Sequence, residues 1–257
     1  MQVAVIGTGA IATFVADSLR AAGFTLAAKL VRAEKARPDA NHYGSVASLP
    51  RDLDIVIDCA GHEALRMHGP QILAGGIDLI TVSLGALADS ALAEELRTAA
   101  QRGGAKLHLA SGAIGALDCL QAARVGALHS VVYTGRKPPK GWKGSAAELV
   151  MDLDTLTHGA ITHFDGSARD AALRYPKNAN VAAAVALAGV GFDKTKVKLI
   201  ADANATENIH EFTAQGDFGQ LQFRVNGSAL PDNPRSSALA AMSVVAKIQQ
   251  LGDIVSF

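Results

Sequence analysis

The chain has 257 residues, enough for one large domain or two modest ones. Its composition, 49% hydrophobic and 19% charged, is that of an ordinary soluble globular protein and excludes a disordered one. Lys plus Arg equals Asp plus Glu, 24 each, and this zero net charge removes the electrostatic footprint of a nucleic-acid binder.

The first residues, Met1 to Ile6, read as a strand without a basic region or cleavage site, so no signal peptide is expected. The longest uncharged apolar stretch, Val181 to Phe192, falls short of the about 20 residues a membrane span needs. Cys59 and Cys119 are far apart and read as two buried thiols in a reducing compartment. The expectation is a cytoplasmic protein with neither a nucleic-acid nor a membrane partner.

Val3-Ala4-Val5-Ile6 is an apolar run ending at glycine, the pattern of a buried parallel strand. Ala10 to Ala22 is Ala-rich and helix-favouring, and Gly23 stops it. Phe24 to Val31 and Asp54 to Asp58 are the next strands, and Glu63 to Leu73 is a helix interrupted by Pro70. Asp78 to Val82 is a strand, Asp89 or Ser90 caps a helix running to Gln101, and Lys106 to Leu109 is a further strand. Strands separated by helix-length crossovers imply a parallel sheet covered on both faces.

After about residue 112 extended segments follow one another: Ser130–Tyr133, Ile161–Gly166, Lys196–Ala201, Ala205–Ala214 and Gln220–Val225, with a helix over Asn178–Leu187 among them. That pattern predicts a second, α+β domain built on an open sheet. Pro231-Asp232-Asn233-Pro234 reads as a linker turn. Ser236 to Leu251 is helical, with apolar positions Leu239, Met242, Val245, Ala246 and Ile248, and is expected to return to the first domain. The predicted boundaries are 1–111 plus about 232–257 for one domain and 112–231 for the other.

Gly7-Thr8-Gly9-Ala10-Ile11-Ala12 fits G-x-G-x-x-A between the first strand and the first helix. Gly7 permits the tight turn, Gly9 lets backbone approach a pyrophosphate, and the small Ala12 allows close helix–strand packing. The helix N-terminus, at Ala10 and Ile11, offers N–H groups to the phosphates. Its placement in a βαβ pattern makes this a dinucleotide-binding, Rossmann-type (doubly wound) domain. The residue that reads the adenosine ribose lies about 20 positions on. Here the strand ends at Leu30-Val31 and is followed by Arg32, which would accept a 2′-phosphate, with Glu34 two residues later. NAD or NADP is therefore the expected cofactor. Ligands in such sheets lie beyond the carboxyl ends of the strands, which here read Cys59-Ala60-Gly61-His62, Ser83-Leu84-Gly85-Ala86 and Ser111-Gly112-Ala113-Ile114-Gly115. All three are small and glycine-bearing, as close approach to a cofactor requires.

None of the eight histidines shows metal-ligand spacing, and no metal site is expected. In Asn208-Ile209-His210-Glu211-Phe212 a strand places Asn208, His210 and Phe212 on one face. A histidine on the core-side face is desolvated and neutral, as a general base requires. Tyr175-Pro176-Lys177-Asn178-Ala179-Asn180 opens a helix, which puts Lys177 and two amides where a substrate carboxylate is well held, although Asn178 also suits an N-cap. Thr134-Gly135-Arg136-Lys137-Pro138-Pro139 is a basic turn that suits a second carboxylate or a solvated loop.

Taken in order, Gly7–Ala12, Asp58–His62, Ser111–Gly115, Tyr133–Pro139, Tyr175–Asn180 and Asn208–Glu211 resemble the L-aspartate dehydrogenase family across nearly the whole chain. The glycine motif is generic, whereas Y-P-K-N-x-N together with N-x-H-E is specific. The resemblance implies oxidative deamination of L-aspartate to iminoaspartate with NAD or NADP as oxidant. The imine then feeds NAD biosynthesis or hydrolyses to oxaloacetate and ammonia. The resemblance also implies a homodimer, His210 as the catalytic residue, and Ala113 and Asn180 as cofactor contacts. One departure is Ala116, where the pattern expects glycine.

Two rival readings remain. One is another two-domain oxidoreductase, of dihydrodipicolinate-reductase or homoserine-dehydrogenase type. The other is a non-catalytic nucleotide-binding regulator, for which no DNA-binding module or basic face is evident.

Overall fold

Short apolar strands alternating with helices build the first sheet. In chain order these are β1 (Gln2–Ile6), α1 (Ala10–Ala21), β2 (Thr25–Leu30), β3 (His42–Tyr43), β4 (Ile55–Asp58), α2 (His62–Ala74), β5 (Asp78–Thr81), α3 (Ser90–Gly103) and β6 (Leu107–Leu109). The structure is a computed structural model and describes residues 1–230 and 233–255. The six strands are parallel in the order β3-β2-β1-β4-β5-β6. Strand order reverses on either side of β1, which opens the crevice where such sheets bind dinucleotides. Val3, Val5, Ile55, Ile57 and Ile80 are buried in the sheet, and Ala12, Val15 and Leu19 of α1 pack on it. Asp89 caps α3, its Oδ1 accepting from the backbone N–H of Ala91 and Leu92. α2 runs through Pro70 without a break, one residue past the expected Leu73.

The second unit contains α4 (Leu117–Ala123), β7 (Leu128–Lys137), β8 (Ala160–Ser167), α5 (Ala168–Arg174), α6 (Asn180–Ala188), β9 (Lys196–Asp202), β10 (Asn208–Gly216), β11 (Gly219–Gly227), β12 (Ala229–Leu230) and β13 (Asn233–Ser237). Its sheet runs β11-β10-β7-β9-β8, with β7 and β9 parallel and the other pairs antiparallel. α5 packs on β8 and β9, α6 packs on β7, and α4 packs on α6. Ala116, at the N-cap of α4, is left-handed with φ 55°, so the missing glycine falls where glycine relieves strain.

The closing helix, α7 (Ala238–Gly252), returns to the first unit, where Val244 and Ile248 join the core of β1, α1 and β4. Its buried stripe is Ala241, Ser243, Val244 and Ile248, while Met242 and Ala246, read as apolar core positions, are exposed. Ser243 Oγ accepts from the Gly112 N–H at 3.0 Å. The chain divides into Met1–Gly112 with the segment from Ala240 onward, and Ala113–Leu239. The second crossing falls later than the expected 231/232 because β13 pairs with β12 and stays with the second unit. Of the expected linker turn, Pro231 and Asp232 lie outside the described residues, and Asn233 and Pro234 belong to β13.

Candidate active site

In the first unit the turn after β1 has the conformation its glycines permit. Gly7 sits at φ 103°, and a Cβ there would stand 3.1 Å from the Ala60 Cβ. Only glycine meets both demands. Gly9 is the N-cap of α1, and a Cβ on it would meet nothing within 4 Å. Its exposed backbone therefore faces open space at a helix N-terminus, which suits a phosphate. A groove of about 590 Å³ runs over this turn and is lined by Gly7, Gly9, Arg32, Glu34, Cys59 and Ala60 among others. The Arg32 side chain is exposed and pairs with Glu34 at 3.7 Å. Ala10 and Ile11 are partly buried in the first turn of α1, and Ala12 is buried against the sheet.

Asp58, at the end of β4, is fully buried. It accepts from the Ala60 N–H at 2.9 Å, Thr81 Oγ1 at 2.8 Å and Ser83 Oγ at 2.7 Å. Burial pushes its carboxyl up, and these donors oppose the shift. The network ties the turn after β4, containing Cys59, Ala60 and Gly61, to the end of β5. The hydroxyl of Ser83 is thereby spent on Asp58. The two thiols are free, but Cys119 is exposed rather than buried, because it lies on the outer side of α4. Cys59 is partly buried, and its thiol is pushed up by burial and then by Asp58.

On the buried face of β7 and β10 the second unit holds Tyr133 and His210. β10 alternates, burying His210, Phe212 and Ala214. His210 is 4% exposed, lies opposite Gly135, and its Nδ1 is 2.7 Å from Tyr133 Oη. Tyr133 sits two residues before Gly135 on β7 and reaches His210 past it. A Cβ at Gly135 would stand 2.8 Å from the Tyr133 hydroxyl, so the missing side chain is what lets the pair form. Burial, and then Lys137, bring His210 down to about 3. Its imidazole is neutral at pH 7, but its titration is not near the ordinary 6.5 that the sequence suggests. Burial likewise pushes the Tyr133 phenol up, so it stays protonated. In the tautomer in which Nδ1–H donates to Tyr133, Nε2 keeps its lone pair and can accept a proton.

Lys137, at the end of β7, donates from Nζ to Asn178 Oδ1 at 2.8 Å and lies 5.0 Å from the centroid of the Trp142 ring. Protein surrounding its ammonium brings it down to about 8. Trp142 is fully buried and anchored by Nε1 donating to the Ile200 carbonyl. The structure thus brings Asn178 to Lys137, and Asn178 does not cap α6, whose N-cap is Ala179. Lys177 is exposed in the turn before α6 and has no part in this cluster. Asn180 opens α6, and Ala113 is buried at the start of the second unit. Sequence reading did not foresee the pairing of Tyr133 with His210 or that of Lys137 with Asn178. The available signal was the alternation Tyr133, Gly135, Lys137, which places all three on one face of a strand.

Among the described residues no group of three or more His, Cys, Asp or Glu is arranged to hold a metal ion, and no helix is long and apolar enough to cross a membrane.

Residues 118–251 match the family described as "Aspartate dehydrogenase, C-terminal", and residues 7–110 match "Homoserine dehydrogenase, NAD binding domain". L-Aspartate dehydrogenase of Ruegeria pomeroyi is 52% identical over 257 residues, covering 98% of this chain and 93% of that protein. The Pseudomonas aeruginosa L-aspartate dehydrogenase is 51% identical over 192 residues, 75% of this chain and 72% of that protein. The crystal structure of aspartate dehydrogenase from Thermotoga maritima superposes with a TM-score of 0.80 at 27% identity, covering 100% of this chain and 99% of that one. With a nicotinamide-type glycine turn in the first unit and a buried tyrosine–histidine pair in the second, the chain belongs to the aspartate dehydrogenase family.

Proposed function

We propose that the protein is an NAD(P)-dependent L-aspartate dehydrogenase in which His210 is the base. The observation that carries this reading is the buried, neutral His210 held by Tyr133 next to an ammonium, Lys137. An α-ammonium cannot support loss of hydride from its carbon, because the developing imine needs the nitrogen lone pair. His210 Nε2 takes that proton. Tyr133 fixes the ring, and Lys137 attracts a substrate with two carboxylates into the second unit. The coenzyme, when bound, supplies the oxidising power by accepting the hydride from the α-carbon. Gly7, Gly9 and the N-terminus of α1 would hold its pyrophosphate, with Arg32 or Glu34 at the ribose. Cys59, Ala60 and Gly61 would line its path, and family resemblance adds Ala113 and Asn180 as coenzyme contacts. Asp58 holds the turn after β4 in shape through the Ala60 N–H and ties it to Thr81 and Ser83. Water then releases oxaloacetate and ammonia from iminoaspartate, or the imine passes to pyridine-nucleotide synthesis.

The same reading assigns dual use of NAD and NADP, supported by Arg32 in place of an acid at the end of β2. It assigns a homodimer, supported by family resemblance. It assigns a cytoplasmic location, supported by two free thiols and by dependence on a nicotinamide coenzyme. Nicotinamide reduction measured against a panel of amino acids tests the substrate. L-Aspartate should lead, and another amino acid well ahead of it would overturn the assignment while leaving the fold intact.

A further inference from the structure

His163 lies on β8 where the pairing with β9 slips. Thr162 pairs with Ile200 and Phe164 pairs with Leu199, so His163 is the extra residue of a bulge. A regular strand would turn either His163 or Phe164 outward. The bulge sends both inward, with ring centroids 5.4 and 5.5 Å from that of Tyr175. His163 is 6% exposed, and its ring stands edge-on to Trp142 at 4.4 Å. Its Nδ1 is 3.2 Å from Tyr175 Oη, whereas its Nε2 is buried with no hydrogen-bond partner among the described residues. An imidazole nitrogen buried in this way is costly unless a ligand satisfies it.

The Trp142 ring is shared. Lys137 Nζ approaches it as well, and Lys137 acts on His163 as it acts on His210. The ammonium has three donors and gives one to Asn178. In the tautomer in which the Tyr175 hydroxyl donates to Nδ1, the neutral His163 presents Nε2–H. Two donors, one of them charged, therefore border the same Trp142 ring. His210 is on β10 and His163 on β8, three strand spacings apart, roughly 14 Å between backbones. Lys137, on β7, falls between them in strand order, so His163 is the donor farther from the base.

We infer that Lys137 Nζ and His163 Nε2 form the seat for the distal carboxylate of the substrate and set the preference for a dicarboxylic amino acid. The inference rests on the activity proposed above and specifies its recognition. His163→Phe keeps the packing against Trp142 and removes the donor, whereas His163→Gln keeps a donor. Lys137→Met keeps the aliphatic contact and removes the charge.

The measurements are KM and kcat for L-aspartate, and competitive inhibition by succinate and by L-asparagine, whose distal amide is the neutral isostere. A hydrogen bond to a charged group corresponds to about 10- to 100-fold in affinity. In His163→Phe and Lys137→Met, KM for L-aspartate and Ki for succinate should rise by that factor, with a smaller fall in kcat. The preference for L-aspartate over L-asparagine should fall by the same factor, and His163→Gln should retain most of it. Unchanged succinate inhibition, an unchanged aspartate-to-asparagine ratio, or a Gln variant as impaired as the Phe variant would overturn the seat. If one variant fails to fold, the other side of the pair gives the same readout. If the wild type does not oxidise L-aspartate, the proposed activity falls, and calorimetric titration with succinate still reads the seat by itself.

Discussion

Gly135→Ala perturbs the base without touching it. Gly135 lies opposite His210 on one side and Leu199 on the other. The added methyl would stand 2.8 Å from Tyr133 Oη and 3.3 Å from Leu199 Cδ2. The hydroxyl must give way by several tenths of an ångström, and its 2.7 Å hydrogen bond to His210 is stretched or lost. Overpacking a core and breaking a buried hydrogen bond together cost about 2–4 kcal/mol. A base displaced by a fraction of an ångström to 1 Å lowers kcat by about 10²-fold. Urea unfolding and steady-state oxidation of L-aspartate measure the two effects. Tyr133→Phe removes the atom that clashes, so the double variant should be more stable than the sum of the two single effects by about 1 kcal/mol or more. Additive stabilities and an unchanged kcat in Gly135→Ala would refute the idea that glycine makes room for the pair.

Gly9→Val places a branched side chain in the open space over the turn, so coenzyme affinity should collapse while the melting temperature holds; unchanged affinity in a binding titration would remove the turn from the coenzyme site. Arg32→Asp should depress NADP use far more than NAD use, and equal effects in kcat/KM would place Arg32 away from the ribose. His210 and His163, brought down to about 3 and about 4, lie below the ordinary 6.5 of the unfolded chain, so the unfolded state binds more protons across that window. Stability should therefore rise with pH between about 4 and 6.5 and be lost on acidification, by about 2 kcal/mol for each histidine at pH 5. Urea midpoints that are flat over this range, in a protein whose His210→Gln variant is equally flat, would contradict the burial. A substrate carboxylate beside Lys137 offsets the second cause of the His210 shift, so the acid limb of kcat should lie at higher pH than that of kcat/KM. Coincident limbs would contradict the coupling.

The first unit was legible because its physics is local. Each strand is a buried apolar run, each helix has its own stop, and the glycine turn is contiguous from Gly7 to Ala12. His210 was legible for a similar reason, since alternation along one strand decides which face it takes. The rest of the site depends on contacts distant in sequence. Tyr133 meets His210 across 77 positions, and Lys137 meets Asn178 across 41. Lys177 looked better placed than Lys137 only because it neighbours the asparagines in sequence. In the fold the helix starts at Asn180, and the turn leaves Lys177 outside. The inward aim of His163 needs a bulge whose register is set by β9, and nothing in Ile161–Gly166 declares it. α4 and α5, seven residues each, are too short for a helical period to emerge from their sequences.

The most direct measurement is nicotinamide reduction by L-aspartate in wild type and His210→Ala, with coenzyme affinity titrated in parallel. The account predicts that wild type oxidises L-aspartate and that the variant loses about 10²–10⁴-fold in kcat, the usual range for a general base, with coenzyme binding little changed. A variant that keeps near-full kcat would show that the proton leaves by another route and would contradict the central claim.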